Sequence, residues 1–312
     1  MRRLVLAAAL AAAAVAAPSS QAVFPAANGS IVYQATVGDH VQLFTVHPDG
    51  SGVRQVTDLA DSDAVAGSWS PDGRRIVFER DFPDAEQLEV MNADGTGMRA
   101  LTRPGNYFTP AFGPDGHQIA FERATDAGDG VWLMNPHGRG LRQVTNNPPP
   151  PSGCGCDESP VFSPDGRLIA FVRVVDDLTT AVFVVDRNGR NLRQLTPYSL
   201  GVSSKLDWSP DGSRLLASSP QNERPGIASN VITIDVGSGA VTQLTHDTAP
   251  NTRNLADSFS PDGTKVVFAR ILPDGFQLFT MNADGSGVAQ ITNGVDAHWA
   301  TWGPAPAGPD RH

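Results

Sequence analysis

The sequence lacks the short motifs that mark most catalytic sites. It contains no Gly-x-Ser-x-Gly turn for a nucleophilic serine, no His-Glu-x-x-His zinc motif, no glycine-rich phosphate loop and no Cys-x-x-Cys pair. Its seven histidines are scattered along the chain. Few of the residue patterns that catalysis requires are therefore present.

Cysteine is almost absent. The two cysteines, Cys154 and Cys156, lie in the Pro- and Gly-rich stretch of residues 146–158. We predict that they form a disulfide that staples this loop, since paired cysteines in an exported protein usually bond. Redox activity or metal capture is the alternative, although two thiols without a nearby histidine pair make a poor zinc site. No cysteine lies near the start of the chain, which argues against a lipoprotein.

Long hydrophobic runs are confined to the start of the chain. Residues 4–17 are apolar throughout and follow Met1-Arg2-Arg3, as in a signal peptide. The run is too short to span a bilayer comfortably, so an uncleaved anchor is the less favoured interpretation. We predict a signal peptide over residues 1–22 and an exported protein, periplasmic or secreted, with no membrane insertion after cleavage.

Positive charge is scarce, with 23 Lys and Arg residues against 33 Asp and Glu residues. Cleavage after Ala22 would remove Arg2 and Arg3 and make the mature chain more acidic still. An acidic protein is repelled by phosphate groups, so we expect neither nucleic acid nor an anionic membrane surface as a partner.

The sequence does contain a repeat built around a Ser-Pro-Asp-Gly turn that follows an aromatic residue. The turn aspartates are Asp72, Asp115, Asp165, Asp211 and Asp262, separated by 43, 50, 46 and 51 residues. Pro, Asp and Gly each favour a tight turn, which explains the motif without bound calcium. A period near fifty residues is typical of propellers and solenoids.

Each copy predicts four short β-strands, and the chain ends complete one further copy. Residues 29–57 match a second, third and fourth strand, and residues 298–304 match a first strand. A ring closed in this way needs no capping repeats. We therefore predict an all-β, six-bladed β-propeller over residues 23–304, closed by the C-terminal strand pairing into the N-terminal blade. We also predict a disordered tail over residues 305–312 and a monomer.

These motifs resemble the TolB-type propeller repeat, a relative of WD-type repeats. Its features are an aromatic-Ser-Pro-Asp-Gly turn, an Ile-Ala-Phe-like strand and an Asn-Ala-Asp-Gly turn before Leu-Thr, as in Trp69 to Thr102 here. The resemblance implies a TolB-like propeller that binds a protein or cell-envelope component. The member that names the family carries an α/β domain ahead of its propeller. Here the first blade begins close to the predicted cleavage site, so we expect no such domain.

The links after the second and fourth strands of each blade vary in length, and we call their side of the ring the loop face. The turns after the first and third strands are nearly uniform, and their side is the turn face. Binding residues gather on irregular loops held by a rigid scaffold, so we predict binding on the loop face. The candidate residues near the channel rim are Asp63, Asp157, Glu158, Asp257, Asp296 and His298.

Two functions remain open for these residues. A non-enzymatic binder would use the carboxylates to hold basic groups of a partner. A metal-dependent propeller enzyme, of the lyase or lactonase type, would use the channel acids and His298 around a divalent cation. Solvated or turn-capping acids are the simplest interpretation. We favour the binder, with no catalytic residue and no cofactor, because few of the residue types that chemistry needs are present.

Overall fold

A computed structural model describes residues 26–126, 128–146, 155–176, 179–203, 205–219 and 226–306 of the 312-residue chain. The predicted signal peptide, Cys154 and most of the predicted tail lie outside the described residues. The described residues form 24 β-strands in six four-stranded sheets, together with one short 3-10 turn at Tyr198–Leu200.

The strands of one blade follow one another in sequence, except in blade 1. Blade 1 contains β24 (His298–Pro304), β1 (Asn28–Val37), β2 (His40–Val46) and β3 (Arg54–Gln55). Blade 2 contains β4 (Asp63–Trp69), β5 (Arg75–Phe82), β6 (Ala85–Asn92) and β7 (Arg99–Ala100). Blade 3 contains β8 (Tyr107–Phe112), β9 (Ile119–Arg123), β10 (Gly130–Met134) and β11 (Arg142–Gln143).

The other three blades have the same order. Blade 4 contains β12 (Asp157–Phe162), β13 (Leu168–Asp176), β14 (Thr179–Asp186) and β15 (Arg193–Gln194). Blade 5 contains β16 (Asp207–Trp208), β17 (Arg214–Ser219), β18 (Asn230–Asp235) and β19 (Val241–Gln243). Blade 6 contains β20 (Asn254–Phe259), β21 (Lys265–Leu272), β22 (Gly275–Asn282) and β23 (Ala289–Gln290).

Blade 1 closes the ring as the sequence predicts. The C-terminal β24 pairs antiparallel with β1, with Ile31 opposite Trp302 and Val32 opposite Thr301. The indole N–H of Trp302 also donates to the carbonyl of Gly29 at 3.1 Å. The predicted six-bladed, all-β propeller is therefore confirmed, including the strand that completes it.

The Ser-Pro-Asp-Gly turns are held by their own side chains. In blade 4, Asp165 Oδ1 accepts hydrogen bonds from Ser163 Oγ at 2.7 Å and from the Arg167 N–H at 3.0 Å. Ser163 Oγ in turn accepts the Leu168 N–H at 2.9 Å, and Gly166 adopts the left-handed conformation that closes the turn. This oxygen of Asp165 thus forms its hydrogen bonds within its own hairpin turn.

The core lies between neighbouring blades. One hydrophobic cluster joins Val32 and Leu43 of blade 1 to Ile76 and Phe78 of blade 2, and all four are fully buried. The aromatic residue that ends each inner strand also bridges blades, since the Trp69 indole donates to the Thr301 carbonyl at 3.1 Å. A four-stranded blade cannot bury its apolar faces alone, so each blade depends on its neighbours.

Candidate functional site

Asp63 lies at the start of β4, where it joins two blades. Its Oδ1 is 3.0 Å from Nδ1 of His40 and accepts the Val41 N–H at 2.9 Å. Its side chain is about one third exposed. Asp63 therefore ties the inner strand of blade 2 to β2 of blade 1 and keeps part of its carboxylate at the surface.

Asp157 is fully buried and forms a bidentate ion pair. Arg173 donates from Nε to Oδ1 at 2.7 Å and from Nη2 to Oδ2 at 2.9 Å, and its guanidinium lies 4.7 Å from the centre of the Phe183 ring. Both carboxylate oxygens are thus used within blade 4. The neighbouring Glu158 is half-buried, and its charge helps to raise the pKa of Glu122, for which burial is the larger cause.

Asp296 and His298 flank the start of the closing strand. Asp296 is exposed, and its Oδ1 accepts the Phe276 N–H at 2.7 Å. His298 Nε2 is 3.1 Å from the Gln34 amide nitrogen, and its ring contacts that of Phe276 in a tilted arrangement, with 5.6 Å between the ring centres. Burial lowers the pKa of His298, which favours a neutral imidazole.

Of the six predicted rim residues, Asp257 lines a cavity in the middle of the channel, which we call the mid-channel cavity. Its Oδ1 lies 3.7 Å from Nζ of Lys205 and accepts the Ala300 N–H at 2.8 Å. Burial raises the pKa of Asp257 to about 7, against the opposing effect of Lys205. Asp207 lies nearby, and burial raises its pKa to about 6 although its Oδ2 accepts hydrogen bonds from the Phe259 N–H and Ser258 Oγ.

The described part of the channel has two connected cavities. The mid-channel cavity measures about 80 Å³ and the turn-side cavity about 220 Å³. They share one ring of lining residues, one from each blade, which are Ser68, Ala111, Val161, Asp207, Ser258 and Thr301. The turn-side cavity and the mid-channel cavity therefore adjoin at the centre of the ring.

The inner strands carry a bulge that sets which side chains face this channel. Ala66, Thr109, Ser159 and Trp299 have positive φ at equivalent positions of four blades. The Ala66 N–H donates to Gln34 Oε1 of the preceding blade at 3.0 Å, and the Thr109 N–H donates to Glu79 Oε2 at 3.0 Å. Gln34 and Glu79 thus act as clamps between blades.

The loop face carries a large acidic excess among the described residues. Its acidic residues that are not buried are Asp39, Asp58, Asp61, Asp63, Asp81, Asp84, Glu86, Asp126, Asp129, Glu158, Asp176, Asp247, Asp274 and Asp296. Several crowd together, since the pKa of Asp81 is raised by burial and then by Asp63, and that of Glu86 by burial and then by Asp81. On the turn face, aspartates and arginines are nearly balanced.

The arginines on the loop face are mostly held by internal contacts. Arg80 pairs with Glu89 at 3.2 Å and with Asp61 at 2.9 Å. Arg123 lies over Trp132 at 4.8 Å, and Arg270 pairs with Asp247 at 3.1 Å. These guanidiniums occupy equivalent places in their blades. Arg80 and Arg270 offset the charge of Asp61 and Asp247, and the loop face as a whole remains acidic.

Other predicted features can be placed as follows. In the described ranges, no three His, Cys, Asp or Glu side chains are grouped so that they could hold a metal ion. Cys156 is buried, with its Sγ 3.4 Å from Asp129 Oδ2, and its predicted bond to Cys154 remains a prediction because Cys154 is not described. The described residues form no helix with the length and apolar character needed to cross a lipid bilayer.

Sequence reasoning did not identify Lys205, Asp207 or Trp299 as channel residues. The sequence did contain a signal that could have identified two of them. The residue three places before the aromatic residue of each turn is small in four blades, which have Ala66, Thr109, Ser159 and Ala256. Lys205 and Trp299 occupy this position in the other two blades. A lysine and a tryptophan are unusual at a position where the other four blades have a small residue.

Comparison with known proteins places the chain among propellers. A family model described as the TolB beta propeller domain matches residues 13–204. An uncharacterized protein of Agrobacterium fabrum is 30% identical over 100 residues, which are 32% of this chain and 31% of that protein. The match therefore spans less than one third of the length of this curated relative.

Two solved structures show the same architecture. TolB from Acinetobacter baumannii has a TM-score of 0.72 and 21% identity, over 89% of this chain and 67% of that one. A chain of a nidogen/laminin complex has a TM-score of 0.68 and 10% identity, over 88% of this chain and 98% of that one. At these identities the likeness is one of fold.

Proposed function

This chain belongs to the TolB beta propeller domain family, and from that premise we propose that it is an exported, non-enzymatic propeller that binds a protein or cell-envelope partner through its loop face. One observation carries the proposal. The loop face concentrates carboxylates while its arginines are largely held by internal contacts. A partner that presents lysine or arginine side chains fits such a face.

The same contacts favour binding over catalysis at the predicted rim. Asp157 is held by Arg173, Asp296 by the Phe276 N–H, and Asp63 by His40 and Val41. A catalytic group needs a polar atom directed at a reacting molecule. These carboxylates instead hold the blades and loops in place, and the loop face acts as a charged docking surface.

The proposal places the protein in the periplasm or outside the cell. Its support is the charged start followed by the apolar residues 4–17. Expression of the full chain in a bacterial host, followed by N-terminal sequencing of the protein from the periplasmic fraction, tests this. We expect the mature chain to begin at Val23, and a cytoplasmic protein that still begins at Met1 would contradict export.

The binding proposal is tested with two variants of equal net charge. Asp84→Asn with Asp274→Asn removes two exposed carboxylates from the loop face of blades 2 and 6. Asp94→Asn with Asp284→Asn removes two from the turn face of the same blades, and each asparagine keeps an acceptor for the turn hydrogen bond. The two variants therefore differ in the face that loses its charge.

The immobilised mature chain is used to capture proteins from a cell-envelope extract, and each captured protein is identified by mass spectrometry and purified. We expect the loop-face variant to bind the purified partner roughly five- to tenfold more weakly than the turn-face variant, with binding that weakens as salt is added. Equal affinities of the two variants would show that binding does not use the loop face.

A further inference from the structure

The mid-channel cavity is lined by residues that break the sixfold repeat. At the bulge position four blades have Ala66, Thr109, Ser159 and Ala256, whereas blade 5 has Lys205 and blade 1 has Trp299. At the next position blade 6 has Asp257, where the other blades have Gly, Pro, Leu or Ala. These departures fall in three adjacent blades and line the same sector of the cavity.

Lysine is rare in this chain, which makes its presence here informative. The sequence has 21 arginines and two lysines, Lys205 and Lys265. Arginine stays protonated in proteins, whereas a buried lysine can lose its proton and act as a nucleophile. A chain that otherwise uses arginine for positive charge thus places a deprotonatable amine at the centre of its ring.

The Lys205 amine lies within reach of groups that position it. Its Nζ is 3.7 Å from Asp257 Oδ1, 3.3 Å from Thr301 Oγ1 and 5.2 Å from the centre of the Trp299 ring. The Lys205 side chain is 13% exposed and that of Asp257 is 2% exposed. The amine is therefore sheltered but remains in contact with the cavity.

Three polar atoms at this cavity have no hydrogen-bond partner among the described residues. They are Asp257 Oδ2, Ser159 Oγ and Thr109 Oγ1. Asp257 and Ser159 are each more than nine-tenths buried. Buried polar atoms normally have partners, and leaving one without a partner costs about 1–3 kcal/mol. These atoms leave hydrogen-bonding capacity beside a cavity of about 80 Å³, which has room for a small polar molecule.

We propose that Lys205 is a carbonyl-reactive amine, and that the mid-channel cavity takes small aldehydes or ketones as imines of this lysine. Asp257 carries the proton in the reaction. Ser159 and Thr109 supply hydroxyl groups for the polar substituents of the compound. The site is reached through the turn-side cavity, on the side of the ring opposite the loop face.

The reaction balances without any oxidant or reductant. The neutral amine adds to the carbonyl carbon, protonated Asp257 donates its proton to the oxygen, and the carboxylate then takes a proton from the nitrogen. The resulting carbinolamine receives the Asp257 proton on its hydroxyl group, and water leaves as the C=N bond forms. The product is a protonated imine beside the Asp257 carboxylate, so the net charge of the site is unchanged.

The electrostatics of the cavity support these roles. Burial lowers the pKa of Lys205, against the opposing effect of Asp257 and then Asp207. Burial raises the pKa of Asp257 to about 7. The two shifts favour the neutral amine and the protonated carboxyl group, which are the forms that a nucleophilic amine with an adjacent acid requires.

Reductive trapping tests the proposal on the intact folded protein. The protein is treated with limiting acetaldehyde and cyanoborohydride near neutral pH, and peptide mass spectrometry measures the ethyl group added to each lysine. Lys265 is the internal reference, since it lies on the turn face with its Nζ 3.2 Å from Asn282 Oδ1. We expect Lys205 to be labelled at least about tenfold faster than Lys265.

Two variants separate chemistry from simple access. Asp257→Asn keeps the shape of the side chain, and we expect it to slow the labelling of Lys205 by roughly tenfold or more while Lys265 is unchanged. Lys205→Arg keeps the charge and should abolish labelling in the channel. If Asp257→Asn does not fold, the ratio of the two lysines in the unaltered protein decides. Labelling of Lys205 that is no faster than that of Lys265 overturns the proposal, as does fast labelling that Asp257→Asn leaves unchanged.

Discussion

At the scale of single residues, the blades are joined by side chains that accept a hydrogen bond from the bulge of the next inner strand. Gln34 accepts from Ala66, Glu79 from Thr109 and Ser218 Oγ from Ala256. An amide and a hydroxyl fill this role in two blades, so the role itself needs no charge. The carboxyl group of Glu79 therefore bears a burial cost that Gln34 and Ser218 avoid.

Glu79→Gln should make stability less dependent on pH. Burial raises the pKa of Glu79 to about 7 from its ordinary value of 4.5, so the folded protein binds the proton more tightly than the unfolded chain. The associated stability is complete below about pH 4 and is lost as pH rises to about 7. We expect Glu79→Gln to raise the free energy of unfolding on the order of 2 kcal/mol near pH 8 and to change it little near pH 4.

Urea unfolding at the two pH values measures this effect. The exposed Asp84→Asn in the same blade is the control and should keep the pH dependence of the unaltered protein. A Glu79→Gln variant whose stability changes with pH as steeply as before would show that Glu79 is not the titrating group.

Asp157 and its counterpart in blade 6 allow a second comparison of residues. Arg173 is held by Asp157, and the equivalent Arg270 donates to Asn254 Oδ1 at 2.7 Å. Asp157→Ala leaves a buried guanidinium without its partner and should destabilise the protein by about 3–5 kcal/mol. Asp157→Asn keeps an oxygen that can accept from Arg173, as Asn254 does for Arg270, although in blade 6 the Asp247 carboxylate also pairs with the guanidinium. We expect it to cost roughly half as much as Asp157→Ala or less. Thermal or urea unfolding distinguishes the two, and equal losses would contradict the pairing.

At the scale of strands, β24 completes blade 1 and contacts both neighbouring blades. A chain that ends after residue 297 lacks the partner of β1 and should lose the single cooperative unfolding transition. A chain that ends after residue 306 keeps β24 and the hydrogen bond from the Ala305 N–H to the Ala27 carbonyl at 2.7 Å. We expect it to unfold like the full chain. Calorimetry of both truncated chains tests this, and a cooperative transition without β24 would contradict closure by that strand.

The strands of the propeller could be predicted from the sequence, whereas the channel site could not. The turns recur as local motifs, and residues 29–57 and 298–304 read as parts of one blade, so the fold and its closing strand followed from the sequence. The channel site did not. Five of the six described inner strands are interrupted by a register shift, such as that between Val65 and Ser68 in β4. A one-residue shift exchanges the side chains that face the channel with those that face the blade. Lys205 and Trp299 therefore become visible as channel residues once the bulge is located.

Asp63, Asp157, Asp296 and His298 show a second limit of sequence reasoning. The sequence places these residues near the starts of inner strands, and the structure does so too. The partners Arg173 and Gln34 come from the second strands of blades 4 and 1, respectively. Contacts of this kind depend on pairing and packing that no local motif encodes.

At the scale of the whole molecule, charge is divided between two faces. The chain has a net charge of −10, and the excess of acidic residues lies on the loop face. We expect the protein to bind an anion exchanger through that face, because the closest charges dominate at ordinary salt. Asp84→Asn with Asp274→Asn should elute at lower salt than Asp94→Asn with Asp284→Asn, although the two variants have the same net charge. Identical elution would indicate that the charge is spread evenly.

The pairing of β24 with β1 also affects when the ring can close during synthesis. In blade 1, β1 is made before the other described strands and its partner β24 after them, so the ring cannot close until all of these strands have been produced. Five blades can be assembled while the sixth still exposes an unpaired edge of β1, which is a site for aggregation or proteolysis. Synthesis of β24 is therefore the step that removes this edge, and a product that terminates before β24 keeps it exposed.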